Sequence, residues 1–274
     1  MERKRIKNLI IIVLIILNAF LAGVVITDRI AAAAAARALK SSLYEAMAQN
    51  GVSLSADAVI EGPPPSAQTM IRDLNSEKQM AERVIGKCSV SDLGGNIMYY
   101  GSDGGRAQFH GNGEFDIATD PGNIPKGGSA EQTAISLLNK MGLEALALNT
   151  TDNGEITTVT AHYSFNRTPI YNAGIVFTFS ESSLILISGQ RPPDKPGVTE
   201  ASSFDAATVL MRFIDLIHAE GYVCSEIKSL SPGYIMNDTA PGGVVLVPVW
   251  KIETDSGLYF INGLTGNPEP IIYP

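Results

Sequence analysis

A serine and a lysine three residues apart form a local pattern with a known catalytic chemistry. Residues Ser225 to Lys228 fit the S-x-x-K motif of penicillin-recognising enzymes, in which a lysine one helical turn away activates the serine. Those enzymes also carry a later K-T-G strand, which this sequence lacks. Here the motif follows Gly221, which is predicted to end a helix, and it enters a strand where the two side chains face opposite sides. We therefore interpret the match as chance.

The histidines and cysteines fall in separate predicted elements. His110 belongs to a glycine-rich hairpin, His162 to the polar side of a strand and His218 to the edge of a helix, so no local spacing brings a metal-ligand or catalytic set together. Cys88 and Cys224 either form a disulfide or stay as two buried free thiols, the alternative we favour. The H-E-x-x-H, G-x-S-x-G, Walker and C-x-x-C motifs are absent. We therefore predict no enzymatic activity, metal or cofactor.

The charge distribution excludes one class of partner. The chain has 274 residues and a net charge of −8, but four of the first seven residues are basic. The remainder carries 16 basic and 27 acidic residues, a net charge of −11. A surface of that sign repels nucleic acid phosphates and anionic lipid headgroups. Nucleic-acid binding is therefore not expected.

The N-terminal segment predicts a membrane anchor. Leu9 to Ile26 is an uninterrupted run of 18 uncharged, mostly apolar residues, which spans about 27 Å as a helix. A cleaved signal peptide is the alternative, but its apolar core is normally shorter. The basic residues in front place the N-terminus in the cytoplasm and the bulk of the chain outside it. We expect localisation in the cell membrane.

One face of this predicted helix differs from the rest. It carries small or polar residues that permit close helix approach and a hydrogen bond within the membrane: Asn18, Ala19, Ala22 and Gly23. We predict that this face binds the membrane helices of a partner. The predicted organisation is a cytoplasmic tail (1–8), an anchor (9–27), a stalk helix with a proline-rich linker (28–65), and two outer lobes (66–126 and 127–274).

The outer region shows a recurring order of helix and strands. Three residue pairs have the spacing of a capping box, and each opens a helical stretch that ends at a glycine. The pairs and the glycines that end their helices are Ser76 and Gln79 with Gly86, Ser129 and Gln132 with Gly142, and Ser202 and Asp205 with Gly221. Strand-like alternation follows, clearest at 158–165 and 175–179, and Asp255 to Gly257 is a hairpin signal. This pattern predicts an α+β fold in which helices pack on antiparallel meander sheets.

Several segments together match the order and character of one known family: the apolar run 14–21, the stretch 52–65 that ends in prolines, the hairpin 109–115, the segment 169–172, and the C-terminal pair 248–252 and 259–266. They resemble the YycI branch of the YycH/YycI family, whose members are membrane-anchored regulators of the WalK sensor kinase in Gram-positive bacteria. The resemblance implies a two-lobed outer region, a WalK-like sensor histidine kinase as partner, and a related YycH-like anchored protein as a second partner.

The C-terminal pair also resembles the end of PepSY-type modules, which implies PepSY-like repeated units. Two hypotheses for the function follow. The first is a regulator of a sensor kinase that controls cell-wall homeostasis, acting by protein contact through its membrane helix and outer lobes. The alternative is a PepSY-type ligand-binding or peptidase-inhibiting module at the cell envelope. A cleft with convergent polar groups favours the second.

Overall fold

The computed structural model describes residues 43–55, 65–191, 195–239 and 243–270, and it divides the chain into two compact units, Met1–Leu54 and Ser55–Pro274. In the first unit, helix α1 covers residues 43–49 and strand β1 covers Ser53–Leu54. Gly51, two residues after the end of α1, adopts a left-handed φ of 75°. The predicted tail, the anchor and its partner-binding face lie outside the described residues.

The second unit is built mainly of strands. The described part of this unit has three helices, α2 (Leu74–Ile85), α3 (Ala130–Met141) and α4 (Ala206–Glu220). The strands that precede α3 are β2 (Ser66–Ile71), β3 (Ser89–Gly94), β4 (Ile97–Ser102), β5 (Gly105–His110) and β6 (Glu114–Thr119). Between α3 and α4 lie β7 (Ala145–Asp152), β8 (Thr157–Phe165), β9 (Thr168–Phe179), β10 (Leu184–Gln190) and β11 (Lys195–Ser202). The last three are β12 (Glu226–Thr239), β13 (Gly243–Thr254) and β14 (Leu258–Asn262). Among the described helices, none is both long and apolar enough to cross a lipid bilayer.

The helix ends follow from local capping. Gly86, Gly142 and Gly221 end the three helices as predicted, and Ser129 caps α3 by accepting a hydrogen bond from the Gln132 amide. The predicted caps of the other two helices are wrong. Asp73 caps α2 in place of Ser76, and Asp205, the second member of the predicted pair, caps α4 in place of Ser202. In each case an aspartate carboxylate accepts from a backbone N–H of the first turn, which is the stronger arrangement for a helix N-terminus.

The predicted fold class is wrong, because the strands of both predicted lobes belong to one large sheet. The sheet runs in the order β11-β2-β13-β12-β9-β10-β6-β5-β4-β3, with β14 on β13 and the β7–β8 pair on β9. β6 pairs with β10, and β2 pairs with both β11 and β13, so three of the described strand pairs cross the proposed boundary at residue 126. The second unit is therefore neither two-lobed nor a series of PepSY-like repeats of a helix on a meander.

Eight strands form one antiparallel part of this sheet, in the order β7-β8-β9-β10-β6-β5-β4-β3. One of its faces is apolar: the strand registers align a transverse row of buried residues, Tyr100, Ala107, Ile117, Ile187, Phe177 and Val159. α2 packs against β4, β5 and β6, and α3 packs against β7 and β8. Because the buried residues of both helices belong to the same core cluster as this row, the helices cover the apolar face.

A short junction joins this part of the sheet to the strands around β12. β9 and β12 run parallel there, and their backbone pairing is limited to Tyr234 opposite Ile170. The side-chain amide of Asn172 extends the pairing: its Nδ2 donates to the Met236 carbonyl at 2.9 Å, and its Oδ1 accepts from the Met236 N–H at 2.7 Å. The Asn172 side chain thus takes the place of one pair of backbone hydrogen bonds between β9 and β12.

α4 packs on the other part of the sheet. Its buried stripe is Val209, Leu210, Phe213, Ile214 and Ile217. The predicted placement of His218 at a packed helix edge is wrong, since its side chain is exposed. Trp250 of β13 is 1% exposed, and its Nε1 donates to the Phe204 carbonyl just before the helix at 3.0 Å.

An ion pair between the buried Glu77 and the largely covered Arg72 lies at the start of α2. Arg72 contacts Glu77 through two bonds, Nε to Oε1 at 2.6 Å and Nη2 to Oε2 at 2.9 Å. The same guanidinium donates to the carbonyls of Asn96 and Phe109, at 2.6 and 3.0 Å. Tyr100 lies against Glu77, and burial, together with the Glu77 carboxylate, raises the pKa of Tyr100 to about 12. The cluster therefore connects α2 with three separate parts of the chain.

Candidate functional site

The face of the eight-stranded part opposite α2 and α3 is polar. The registers align a second transverse row on this open face, from β3 to β8: Ser91, Tyr99, Gln108, Asp116, Ser188, Val176 and Thr160. All of these residues are exposed or half-exposed, and Val176 is the apolar member. Successive strand residues point to opposite faces, so the same strands supply a buried apolar row on one side and hydrogen-bonding groups on the other.

A cleft of about 320 Å³ opens on this face near the junction of β9 with β12. Its polar lining residues come from four strands: His110, Glu114, Asp116, Asn172, Ser188 and Gln190. Gly174 and Gly189 also line it, and both lack a side chain that would fill the space. The cleft is therefore the place on the open face where several different polar groups converge.

The β5–β6 turn positions one wall of the cleft. Asn112 lies in this turn, and its Oδ1 accepts from the Glu114 N–H at 3.1 Å while its Nδ2 contacts Asp238 Oδ2 of β12 at 3.4 Å. The Asn112 carbonyl accepts from Gln190 Nε2 at 3.0 Å, which fixes the direction of that amide. The next residue must be glycine, because Gly113 has a φ of 86° and an added Cβ would come within 2.2 Å of the Arg191 carbonyl oxygen.

A second concave region is more apolar and lies apart from these groups. It measures about 300 Å³ and is lined by Ile135, Leu138, Leu143 and Leu148 together with the polar residues Asn139, Glu144, Ser164 and Arg167. It has fewer polar lining residues than the cleft. The cleft on the open face is accordingly the stronger candidate for specific recognition.

The residues of the S-x-x-K match do not form a nucleophilic site. Ser225 precedes β12 and Lys228 lies within it, so the lysine does not follow the serine on a helix. The Ser225 hydroxyl donates to Asp255 Oδ2, and the backbone N–H groups of Ser225 and Glu226 donate to Asp255 Oδ1 at 3.1 and 3.2 Å. These bonds, led by the one from the Ser225 hydroxyl, lower the pKa of Asp255 to about 2. The serine therefore closes a turn.

We expect the Ser225→Ala substitution to raise the pKa of Asp255 from about 2 towards its ordinary value. The reason is that hydrogen bonds to a carboxylate stabilise its charged form, so losing one favours protonation. Since the folded pKa lies below the unfolded one, the contribution of this group to stability is lost as the pH falls through the folded value. A carboxyl ¹³C titration by NMR measures the midpoint. Asp152, whose pKa is lowered by the Gly154 N–H, is the internal reference; an unchanged Asp255 midpoint would contradict this account.

The structure separates the other residues with possible chemistry. His110 lines the cleft, His162 lies in β8 opposite Gly174, and His218 is exposed on α4. Within the described ranges, no group of three or more histidine, cysteine or acidic residues is arranged to hold a metal ion. Cys88 and Cys224 are free thiols and half-exposed, whereas the favoured prediction was buried thiols. Burial is the main factor that raises the pKa of both thiols.

Most cleft residues do not stand out in the sequence. The alternation of Glu114 and Asp116 with buried Phe115 and Ile117 is a local signal of a polar strand face. The contribution of Asn172, Ser188 and Gln190 depends on which strands become neighbours, and the sequence pattern does not specify that.

Comparisons with known proteins give likenesses in structure only. No protein-family model matches the chain, and no curated protein matches it. An uncharacterized protein from Eubacterium rectale is similar with a TM-score of 0.43 and 9% identity, over 81% of this chain and 90% of that one. The C-terminal domain of Bacillus megaterium YpeB is similar with a TM-score of 0.36 and 13% identity, over 73% of this chain and 96% of that one. Neither likeness assigns a function.

Proposed function

We propose that this chain is a regulatory binding protein of the cell envelope that modulates a membrane sensor histidine kinase through protein contact. The observation that supports the proposal best is the open face of the eight-stranded sheet, which presents rows of hydrogen-bonding side chains on a rigid framework. The resemblance of several segments to the YycI branch supplies the kinase as the partner, with a YycH-like anchored protein as a second one.

The distribution of groups on this face suits binding better than chemistry. Hydroxyl, amide and carboxylate groups are spread over successive strands. Ser225, the serine of the catalytic match, is held outside this face by Asp255, which directly follows β13. Such a surface can make many modest contacts with a partner, each worth about 1 kcal/mol. In this proposal the predicted membrane face, Asn18, Ala19, Ala22 and Gly23, makes a further contact with the kinase within the bilayer.

Site-specific photo-crosslinking in the full chain tests the proposed contact. A photoreactive amino acid is placed at Gln108 or Thr160 on the open face, and at Lys78 or Lys140 on the exposed sides of α2 and α3 as matched controls. We expect crosslinks to the sensor kinase from the two sheet positions and not from the two helix positions. Immunoblotting and mass spectrometry of the crosslinked band identify the partner.

The controls make the outcome decisive. Equal crosslinking of the kinase from the helix positions would show that the open face is not the contact surface. Efficient incorporation at the sheet positions without any kinase crosslink, in cells that express the kinase, would contradict the proposed function itself.

A further inference from the structure

We propose that the cleft on the open face binds a cationic amine, the ammonium group of a peptide side chain or of a free diamine. The inference does not rest on the proposed kinase partner, because it concerns direct binding to this chain. It rests on the shape of the cleft, on the hydrogen-bonding capacity of its lining and on the charges around it.

The lining presents acceptors that have no partner among the described residues. Glu114 and Asp116 are exposed, and the ion pairs found in the described ranges, Arg72–Glu77 and Lys78–Glu82, involve neither of them. The two residues are separated by one position of β6, so both carboxylates lie on the same face about 7 Å apart along the strand. A single ammonium group can therefore reach both.

The neutral groups add oriented acceptors. Gln190 uses its Nε2 to donate to the Asn112 carbonyl, so its Oε1 is left to accept a further hydrogen bond. Both ends of the Asn172 amide are hydrogen-bonded to the Met236 backbone, so this side chain forms a fixed wall of the cleft. Ser188 lies directly opposite Asp116 in the neighbouring strand and adds a hydroxyl oxygen to the same row.

The surrounding charges favour a cation. The cleft is lined by neither lysine nor arginine. Arg106 shares the open face but lies opposite Ala118, one row away from Asp116. His110 is the lining residue that can donate from a ring nitrogen. A ligand that brings several N–H donors and a positive charge therefore complements the lining, whereas an anion meets two carboxylates.

A metal ion is the less suitable cation. Calcium prefers six to eight oxygen ligands at close range. Within the described residues, no set of three or more ligating side chains is placed to hold one. An ammonium group makes three directional hydrogen bonds and tolerates a looser arrangement. The volume of about 320 Å³ also exceeds what a bare ion needs and accommodates an amine with its alkyl chain.

Calorimetric titration of the purified full-length chain tests the inference. The probes are N-acetyl-lysine methylamide, cadaverine, and N-acetyl-norleucine methylamide as the uncharged control. We expect the two amines to bind at millimolar or lower concentration and the norleucine compound to bind at least tenfold more weakly. Tighter binding of the lysine compound identifies a peptide side chain as the source of the amine, and tighter binding of cadaverine identifies a free diamine; each outcome supports an ammonium site.

Matched double variants assign the binding to the cleft. Glu114→Gln with Asp116→Asn is expected to weaken amine binding at least tenfold. Asp103→Asn with Glu181→Gln removes the same charge from two exposed turns and is expected to change it by less than twofold. Thermal melting checks that both variants are folded. Equal binding of the norleucine compound, unchanged affinity in the cleft variant, an equal loss in both variants, or binding of calcium in preference to the amines would each overturn the inference.

Discussion

Replacing Glu77 by glutamine is expected to lower the free energy of unfolding by about 3–5 kcal/mol. The substitution keeps the shape of the side chain but removes its charge. Arg72, whose side chain is 13% exposed, is then left as a largely desolvated cation without its counter-charge, although its hydrogen bonds to the Asn96 and Phe109 carbonyls remain. An unpaired charge that is held away from water costs several kcal/mol, which exceeds the value of the hydrogen bonds that the amide can keep. Urea unfolding followed by circular dichroism measures the loss.

An exposed ion pair on the same helix is the control. Lys78 and Glu82 lie one turn apart with 3.9 Å between Nζ and Oε1, and both side chains are partly in water. We expect the Lys78→Gln substitution to cost less than about 1 kcal/mol, because an exposed pair is solvated before and after the change. If the two substitutions destabilise the protein equally, burial does not determine the strength of the Arg72–Glu77 pair.

Replacing Trp250 by alanine is expected to cost about 3–5 kcal/mol, because it removes the largest side chain in the core between α4 and the sheet. Trp250 is 1% exposed, and it lies opposite Ile261 in β14 and Pro232 in β12. The substitution therefore opens a cavity where three strands meet. It also leaves the Phe204 carbonyl without its donor. Differential scanning calorimetry and urea unfolding both report the change.

Two further variants separate the effect of volume from that of the hydrogen bond. Trp250→Phe keeps much of the ring but loses the indole N–H, and we expect it to cost about 1–3 kcal/mol. Tyr222→Ala removes a half-exposed aromatic ring just after α4, and the expected cost is below about 1 kcal/mol. A cost for Trp250→Ala no larger than that for Tyr222→Ala would show that the core around α4 does not depend on this side chain.

Local features of the fold could be predicted from the sequence because their causes are local. Gly86, Gly142 and Gly221 each end a helix with a positive φ, which glycine adopts readily, so these helix ends were identifiable. The start of α2 was harder, because Asp73 and Ser76 are both good caps and lie one turn apart. Because α2 begins one turn earlier than predicted, Leu74 is its first residue and Glu77 lies in its first turn, where it pairs with Arg72.

The arrangement of the strands could not be predicted in the same way. Alternation at 158–165 shows which residues of a strand are buried, but it does not identify the neighbouring strand. The pairing of β6 with β10 joins residues that are far apart in sequence, and it alone brings Asp116 next to Ser188. The predicted two-lobed fold was wrong for this reason, and the cleft could not have been assembled from local patterns.

The position of β2 also determines the order in which the chain can complete its fold. β2 begins at Ser66 and lies between β11 and β13, with Met70 paired to both Pro196 and Val244. During synthesis this strand leaves the ribosome long before either neighbour exists, whereas the hairpins from β3 to β6 pair with their immediate successors. The connectivity therefore lets the hairpins form early, whereas β2 can pair with its neighbours only late in synthesis. A nascent chain that is released before Val244 keeps one edge of β2 unpaired.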